Sequence, residues 1–249
     1  MNPYEAIYVR KSVREFEKRQ ITEEDRKRIV EYMDTLVPLV EDMHWQIQIA
    51  EDEKEFFGLW KVKAPAYLVF SCETTDQTAY CNAGYVLEQL LLYLHTRDIG
   101  SCYQGGLKWK KMPGDGMHVL MIVAIGYSGD ISRKQQDFKR RPLNKVVQER
   151  EDYSTDVLQI LESARLAPSA MNMQPWSFVV YHNRIHIFVE NGLLKKDALH
   201  TRFLDVGIAM CHMALAAEEL WIDARFSRLE SLVEKKVRKY EYVATMLIQ

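Results

Sequence analysis

Ile29–Ile49 (IVEYMDTLVPLVEDMHWQIQI) and Ile160–Val180 (ILESARLAPSAMNMQPWSFVV) align without gaps at an offset of 131 residues. Glu31 meets Glu162, and Trp45 meets Trp176. Each block reads as a helix, a loop and a tryptophan-led strand. A second pair, Asn82–Gly100 (NAGYVLEQLLLYLHTRDIG) and Asp205–Asp223 (DVGIAMCHMALAAEELWID), aligns at an offset of 123. Both are apolar nearly all round over about five turns, which marks buried helices. At the same offset Val119–Ile125 (VLMIVAI) lies over Tyr242–Ile248 (YVATMLI), two runs with few polar breaks, as in strands inside a sheet. Residues 64–72 (APAYLVFSC) and 184–190 (RIHIFVE) give one more pair of strands. Any two helices share an apolar period, but four elements in one order favour an internal duplication.

Each half therefore predicts helix, strand, strand, long buried helix, strand. That is an α+β layout with a mixed or antiparallel sheet. The halves are expected at residues 1–150 and 151–249. The connection Ser128–Asp156 (SGDISRKQQDFKRRPLNKVVQEREDYSTD) is polar and charged, and predicts an arm or linker rather than core.

The chain of 249 residues is long enough to bury a core. Its 47% hydrophobic and 27% charged residues are globular values and exclude a disordered chain. A net charge of -2 gives no overall basic field for nucleic acid or an anionic membrane. The N-terminus, MNPYEAIYVRKSVREFEKR, has no apolar run before its charges and does not read as a secretory signal. The longest apolar stretches are strand-length, well below the ~20 residues of a membrane span. Cys72, Cys81, Cys102 and Cys211 form no CxxC and no Cys/His ligand spacing, so they read as buried thiols of a cytoplasmic protein.

The halves differ where chemistry would sit. Arg10-Lys11-Ser12-Val13-Arg14 packs three cations and a hydroxyl into five residues. On an extended segment Arg10, Ser12 and Arg14 point to one side, and guanidinium forks match phosphate oxygens. A solvated charged face is the other reading. Ala167-Pro168-Ser169-Ala170-Met171-Asn172-Met173-Gln174-Pro175-Trp176 offers hydroxyl and amide groups suited to the polar edge of a heterocycle, or to an ordinary turn. Its counterpart, Val37–Trp45, carries Glu41 in place of Asn172 and lacks the serine. Gly100-Ser101-Cys102-Tyr103-Gln104-Gly105-Gly106 is rich in glycine, which lets backbone approach a ligand. Phe138-Lys139-Arg140-Arg141-Pro142-Leu143 places three cations in the polar arm, where they could close over a phosphate or form a charged linker. The basic cluster, the glycine segment and the basic arm belong to the first half, and the Ser/Asn/Gln loop to the second.

RKSVREF at 10–16, ARLAPSAMNMQPWSFVV at 164–180, GSCYQGG at 100–106 and the RRPL arm together resemble the nitroreductase family of FMN-dependent enzymes. The PSAMNMQPW match is the most specific of these. The resemblance implies a three-layer α/β/α fold, here duplicated as a fused pseudo-dimer, since the family works as intertwined homodimers whose sites draw on both chains. The chain resembles a single-chain, pseudo-dimeric subgroup of that family. Carried over by position, Arg10, Lys11, Ser12 and Arg14 would hold the phosphate, ribityl chain and pyrimidine edge, and Arg140 would reach the phosphate, with Lys139 or Arg141 as alternates. Pro168, Ser169, Ala170 and Asn172 would line the ring, and Cys102, Tyr103, Gln104 and Gly105 would offer backbone N–H groups near N5 and O4. No match is found for the family's Asn and Lys contacts near residues 57–63.

The implied activity is NAD(P)H-dependent reduction of nitro compounds or quinones by ping-pong hydride transfer at a single composite site. FMN is then the cofactor, NADH or NADPH the co-substrate, and a small molecule the acceptor. No side chain is assigned as catalytic, and no metal, nucleic acid or membrane partner is expected. A monomer with pseudo-dimeric halves is expected rather than an obligate homodimer. The alternative from another class is a flavin-binding module that stores or senses FMN without turnover.

Overall fold

The computed structural model describes residues 1–134, 137, 139–149, 151–191, 196–233 and 239–249; the side chains of residues 149, 196–199 and 232 stand outside that description. The chain forms two compact units, Met1–Asp137 and Phe138–Gln249.

The first unit opens with helix α1 (Pro3–Ile7), closed by a reciprocal Asn2/Glu5 capping box. Helix α2 (Glu23–Met33) starts where the Thr22 side chain accepts from the Asp25 N–H. Then come β1 (Trp45–Ala50), β2 (Phe56–Gly58) and β3 (Ala66–Cys72). The long helix α3 (Gln77–Thr96) is capped by Asp76 and buries apolar residues on most of its circumference. Strands β4 (Ile99–Tyr103), β5 (Leu107–Trp109) and β6 (His118–Tyr127) complete the unit. The main sheet runs β1-β3-β6-β4, antiparallel throughout, and β2 pairs with β5 in a separate ribbon. The β3 strand is buried along its whole length, with α3 packed against it. Tyr67 and Val69 of β3 join Phe56 of the ribbon in an apolar cluster, against which Phe16 and Trp109 pack.

The second unit begins with strand β7 (Val147–Glu149), followed by helix α4 (Thr155–Arg165), capped by Ser154. Strands β8 (Trp176–Tyr181) and β9 (Arg184–Glu190) precede the long helix α5 (Lys196–Glu219). Strands β10 (Ala224–Ser227) and β11 (Tyr240–Ile248) follow it. The sheet runs β7-β8-β9-β11-β10, with β7 parallel to β8 and every other pair antiparallel.

The two units repeat one plan. The order β1-β3-β6-β4 matches β8-β9-β11-β10 strand for strand, and Trp45 and Trp176 each open their strand. A bulge repeats as well. Phe70 faces Met121 and Ser71 faces Val119, so Leu120 is the extra residue. Ile187 faces Ala244 and Phe188 faces Tyr242, so Val243 is the extra residue. Leu120 and Val243 occupy the same place at the offset of 123. A bulge is an unpaired residue at one point of a ladder, and apolar periodicity alone does not produce it twice at equivalent positions.

Two expectations change. Each half holds a strand after its long helix that the sequence reading leaves out: β4 in the first and β10 in the second. Both are short, and the glycine and serine of β4 hide it among turn residues. The polar arm is not all linker. Val146 and Val147 are buried, the Phe178 N–H donates to Val146 O at 2.7 Å, and β7 extends the second sheet. Two adjacent β-branched residues suffice for this in otherwise charged text. The compact units divide at residues 137/138 rather than 150, which leaves residues 128–137 of this arm in the first unit and places the rest with the second.

Candidate functional site

In the first unit the Arg10–Arg14 segment runs extended beside β4. Ser12 forms a parallel bridge with Ser101, and the Val13 N–H donates to Ser101 O at 2.9 Å. On its other side the Lys11 N–H donates to Ile131 O at 3.3 Å, and the Arg133 N–H to Val9 O at 2.8 Å. Gly100 makes the close approach possible, since a Cβ there would meet Val13 Cγ2 at 2.7 Å. The basic motif and the glycine segment, far apart in sequence, are thus brought together. The glycine segment is half strand, with Ser101, Cys102 and Tyr103 in β4.

Within the cluster the cations divide. Arg10 is buried at 6% exposure, and its Nε lies 3.3 Å from Oε1 of Glu88, which is fully buried on α3. Arg10 Nη1 donates to Ser101 Oγ at 3.3 Å, and the Tyr103 hydroxyl donates to the second Glu88 oxygen at 2.8 Å. His95 lies on the same helix, and its Nε2 meets Ser132 Oγ at 3.3 Å. Burial, with the Arg10 charge beside it, pushes the His95 pKa down to about 4, so the ring is neutral at physiological pH. Lys11 ion-pairs with Asp130, and Arg14 is exposed, with Nη1 3.5 Å from Ser12 O. Burial raises the Cys102 thiol pKa, while the Arg14 and Arg10 charges pull it down, so both guanidinium groups stand near β4. Arg10 and Arg14 do not share one exposed face as simple alternation implies, because Arg10 turns inward to neutralise Glu88.

Gln104 is also drawn inward. Its N–H donates to Ile122 O at 2.8 Å, and its side-chain oxygen accepts from the Val62 N–H at 3.0 Å. That N–H is spent on protein and is not open to a ligand. Gly105 is exposed, and no atom lies within 4 Å of where its Cβ would sit.

In the second unit the loop after α4 turns sharply before β8. Met171, Asn172 and Gln174 have φ of 51°, 58° and 51°. The left-handed region suits asparagine but is strained for methionine, and Met171 is 92% exposed. Such strain persists only where surrounding contacts hold it. Arg140 supplies several: Nε donates to Ala167 O at 3.0 Å, Nη2 to Leu166 O at 3.2 Å and Nη1 to Asn172 Oδ1 at 2.8 Å. Asn172 Nδ2 returns a bond to Lys139 O at 2.8 Å. The Arg141 N–H donates to Gln174 Oε1 at 2.7 Å, and the Gln174 N–H donates to Ser169 Oγ at 2.9 Å. The arm and the loop are thereby one hydrogen-bonded object. Arg140 serves as its clamp, while the side chains of Lys139 and Arg141 are exposed. Pro168, Ser169 and Ala170 are half-buried at its edge, and Phe138 lies outside the described residues.

Glu88 and Asp205 escape the sequence reading. Asp205, on α5, accepts the Ala170 N–H with both oxygens at 3.1 Å. For Glu88 the signal is a lone carboxylate in the text of α3, and for Asp205 a carboxylate next to the apolar run Val206–Met210 of α5, since an unpaired buried charge is too costly to keep. Among the described residues no cluster of His, Cys, Asp or Glu could hold a metal ion, and no helix is long and apolar enough to cross a membrane.

A family model described as "Putative TM nitroreductase" matches residues 2–217. A solved structure of a "putative nitroreductase" from Thermotoga maritima is 23% identical, with a TM-score of 0.69 over 100% of this chain and 94% of that one. A nitroreductase family protein from Streptococcus pneumoniae is 16% identical, with a TM-score of 0.46 over 59% of this chain and 98% of that one. The search of curated proteins found no match. With a family match over most of its residues and a fold shared along its own full length with the Thermotoga protein, the chain belongs to the family described as "Putative TM nitroreductase".

Proposed function

We propose that this chain binds one FMN and acts as an oxidoreductase, passing hydride from NADH or NADPH to a nitro compound or quinone. The observation that carries the reading is the seating of the Arg10–Arg14 segment along β4, next to the open Gly105. Family membership supports the redox class.

The donor set fits a phosphorylated, flat heterocycle. Arg14 and the Ser12 hydroxyl are the groups of the basic segment best placed to meet phosphate and ribityl oxygens, with Lys11 exchanging Asp130 for the ligand. Arg10, bound to Glu88, holds the segment and supplies partial positive field. In the second unit Pro168, Ser169 and Ala170 offer a small, weakly charged edge for a ring, on a loop clamped by Arg140 and Asn172. Residues of both clusters are used in this reading, the exposed Arg14 guanidinium of the basic segment for the phosphate and the small residues at 168–170 for the ring. Bound FMN supplies the hydride chemistry. The protein binds and orients, and its fixed cations favour negative charge where it develops. The pseudo-dimeric halves let one chain act alone.

A purified protein with a flavin absorbance spectrum and steady NADH or NADPH oxidation in the presence of a nitroaromatic or quinone supports the reading. A yellow protein inert to both nucleotides makes it a flavin store or sensor instead. A colourless protein that FMN does not restore sinks both.

A further inference from the structure

Each long helix holds a loop through one buried side chain in its first half, and the contact is repeated. In the second unit the Ala170 N–H donates to both Asp205 oxygens at 3.1 Å. In the first unit the Leu39 N–H donates to Asn82 Oδ1 at 2.7 Å. Leu39 and Ala170 are equivalent at the offset of 131, and Asn82 and Asp205 at the offset of 123.

The chemistry of the two differs. Asn82 is fully buried, and its Nδ2 has no hydrogen-bond partner among the described residues. An amide there satisfies only one of its two polar atoms. Asp205, 2% exposed, aims both oxygens at a single N–H. Burial raises its pKa well above the usual carboxylate range, while the Ala170 N–H and the Arg202 charge draw it down. Arg202, three residues earlier on α5, donates to Glu190 O at 2.6 Å and lies 3.6 Å from the Glu190 carboxylate. The held N–H stands at the head of the turn whose left-handed residues are Met171, Asn172 and Gln174. One costly buried carboxylate therefore fixes the start of the strained segment.

We infer that Asp205 is the positioning residue of the 169–174 loop: its buried side chain pins the Ala170 N–H and so sets where Ser169 and Asn172 stand. Asn82 is the same device in the half whose loop carries Glu41. The consequence for FMN rests on the proposed function; the consequence for the loop does not.

The test pairs hydrogen exchange with FMN titration in Asp205→Ala, Asp205→Asn and Asn82→Ala. Peptides covering 169–174 should exchange about tenfold faster in Asp205→Ala and near the wild-type rate in Asp205→Asn, which keeps an acceptor. The FMN Kd should rise about tenfold or more in Asp205→Ala and stay within about twofold in Asn82→Ala, although the latter frees the Leu39 N–H. Unchanged exchange at 169–174 in Asp205→Ala would overturn the inference. So would equal losses of FMN affinity in Asp205→Ala and Asn82→Ala, which would mark a general stability effect. If Asp205→Ala does not fold, Asp205→Glu replaces it, because one added methylene must displace Ala170 and speed exchange in the same peptides. If the wild type binds no FMN, the flavin reading fails and the exchange result alone decides the positioning role.

Discussion

Arg10 and Glu88 form a buried ion pair, 3.3 Å apart, across which the N-terminal segment is tied to the long helix of the first unit. Removing one partner strands the other charge in the core. Arg10→Ala should cost about 3–5 kcal/mol of unfolding free energy, and the double variant Arg10→Met/Glu88→Leu should recover most of it. Urea denaturation of the single and double variants measures this. A loss under about 1 kcal/mol for Arg10→Ala would show that water reaches the pair.

His95 gives a pH signature. Its folded-state pKa, lowered to about 4 by burial and then by Arg10, lies below the unfolded value. The unfolded chain takes up a proton as pH falls below about 6.5, and the folded chain does not until about 4. This group therefore removes stability progressively as pH falls through that window. His95→Gln should flatten the Tm-versus-pH curve between those limits, and an unchanged slope would assign the acid sensitivity elsewhere.

Asp205 has the opposite sign. Its folded pKa is raised, so the folded state holds the proton more tightly than the unfolded one. Its contribution is most favourable at low pH and declines as pH rises from the unfolded carboxylate range through the raised value. Asp205→Asn should remove that decline and gain stability at alkaline pH relative to the wild type. Calorimetric Tm values across the pH range check it.

Arg140 and Asn172 are coupled through the 2.8 Å bond between their side chains. A double-mutant cycle with Arg140→Ala and Asn172→Ala should give an interaction energy of about 0.5–3 kcal/mol. Arg140→Lys should not restore it, because one ammonium cannot reach Leu166 O, Ala167 O and Asn172 Oδ1 together. Additive effects would break the link between arm and loop.

Gly100→Ala drives a methyl into Val13 and should destabilise by about 1–3 kcal/mol. Because Val13 sits inside the basic segment, FMN affinity should fall alongside Tm. A loss of stability with unchanged FMN affinity would separate the segment's packing from its ligand role.

Much of the fold was legible in the sequence because periodicity and order carry it. The offsets of 131 and 123 place α2 on α4 and α3 on α5, and the tryptophans that open β1 and β8 fall in register. The missed strands β4 and β10 are short and carry little apolar text. The Val146-Val147 pair was submerged in a charged arm, where composition outweighs two residues. At the site, the motifs located the neighbourhoods but not what each side chain does. Spacing could place Arg10 and Arg14 on one segment, but not reveal that Glu88 draws only the first inward. It could place Arg140 in an arm, but not show that its donors go to the carbonyls of Leu166 and Ala167. Those assignments depend on partners remote in sequence, which no local pattern encodes.

One flavin served by two unequal halves is tested most directly by the stoichiometry of FMN binding, read by fluorescence titration of the purified chain. One FMN per chain is expected, abolished by Arg14→Glu in the first unit and by Ser169→Glu in the second, and untouched by Glu41→Ala. Two FMN per chain, or one FMN that survives either substitution, would overturn the single-flavin reading.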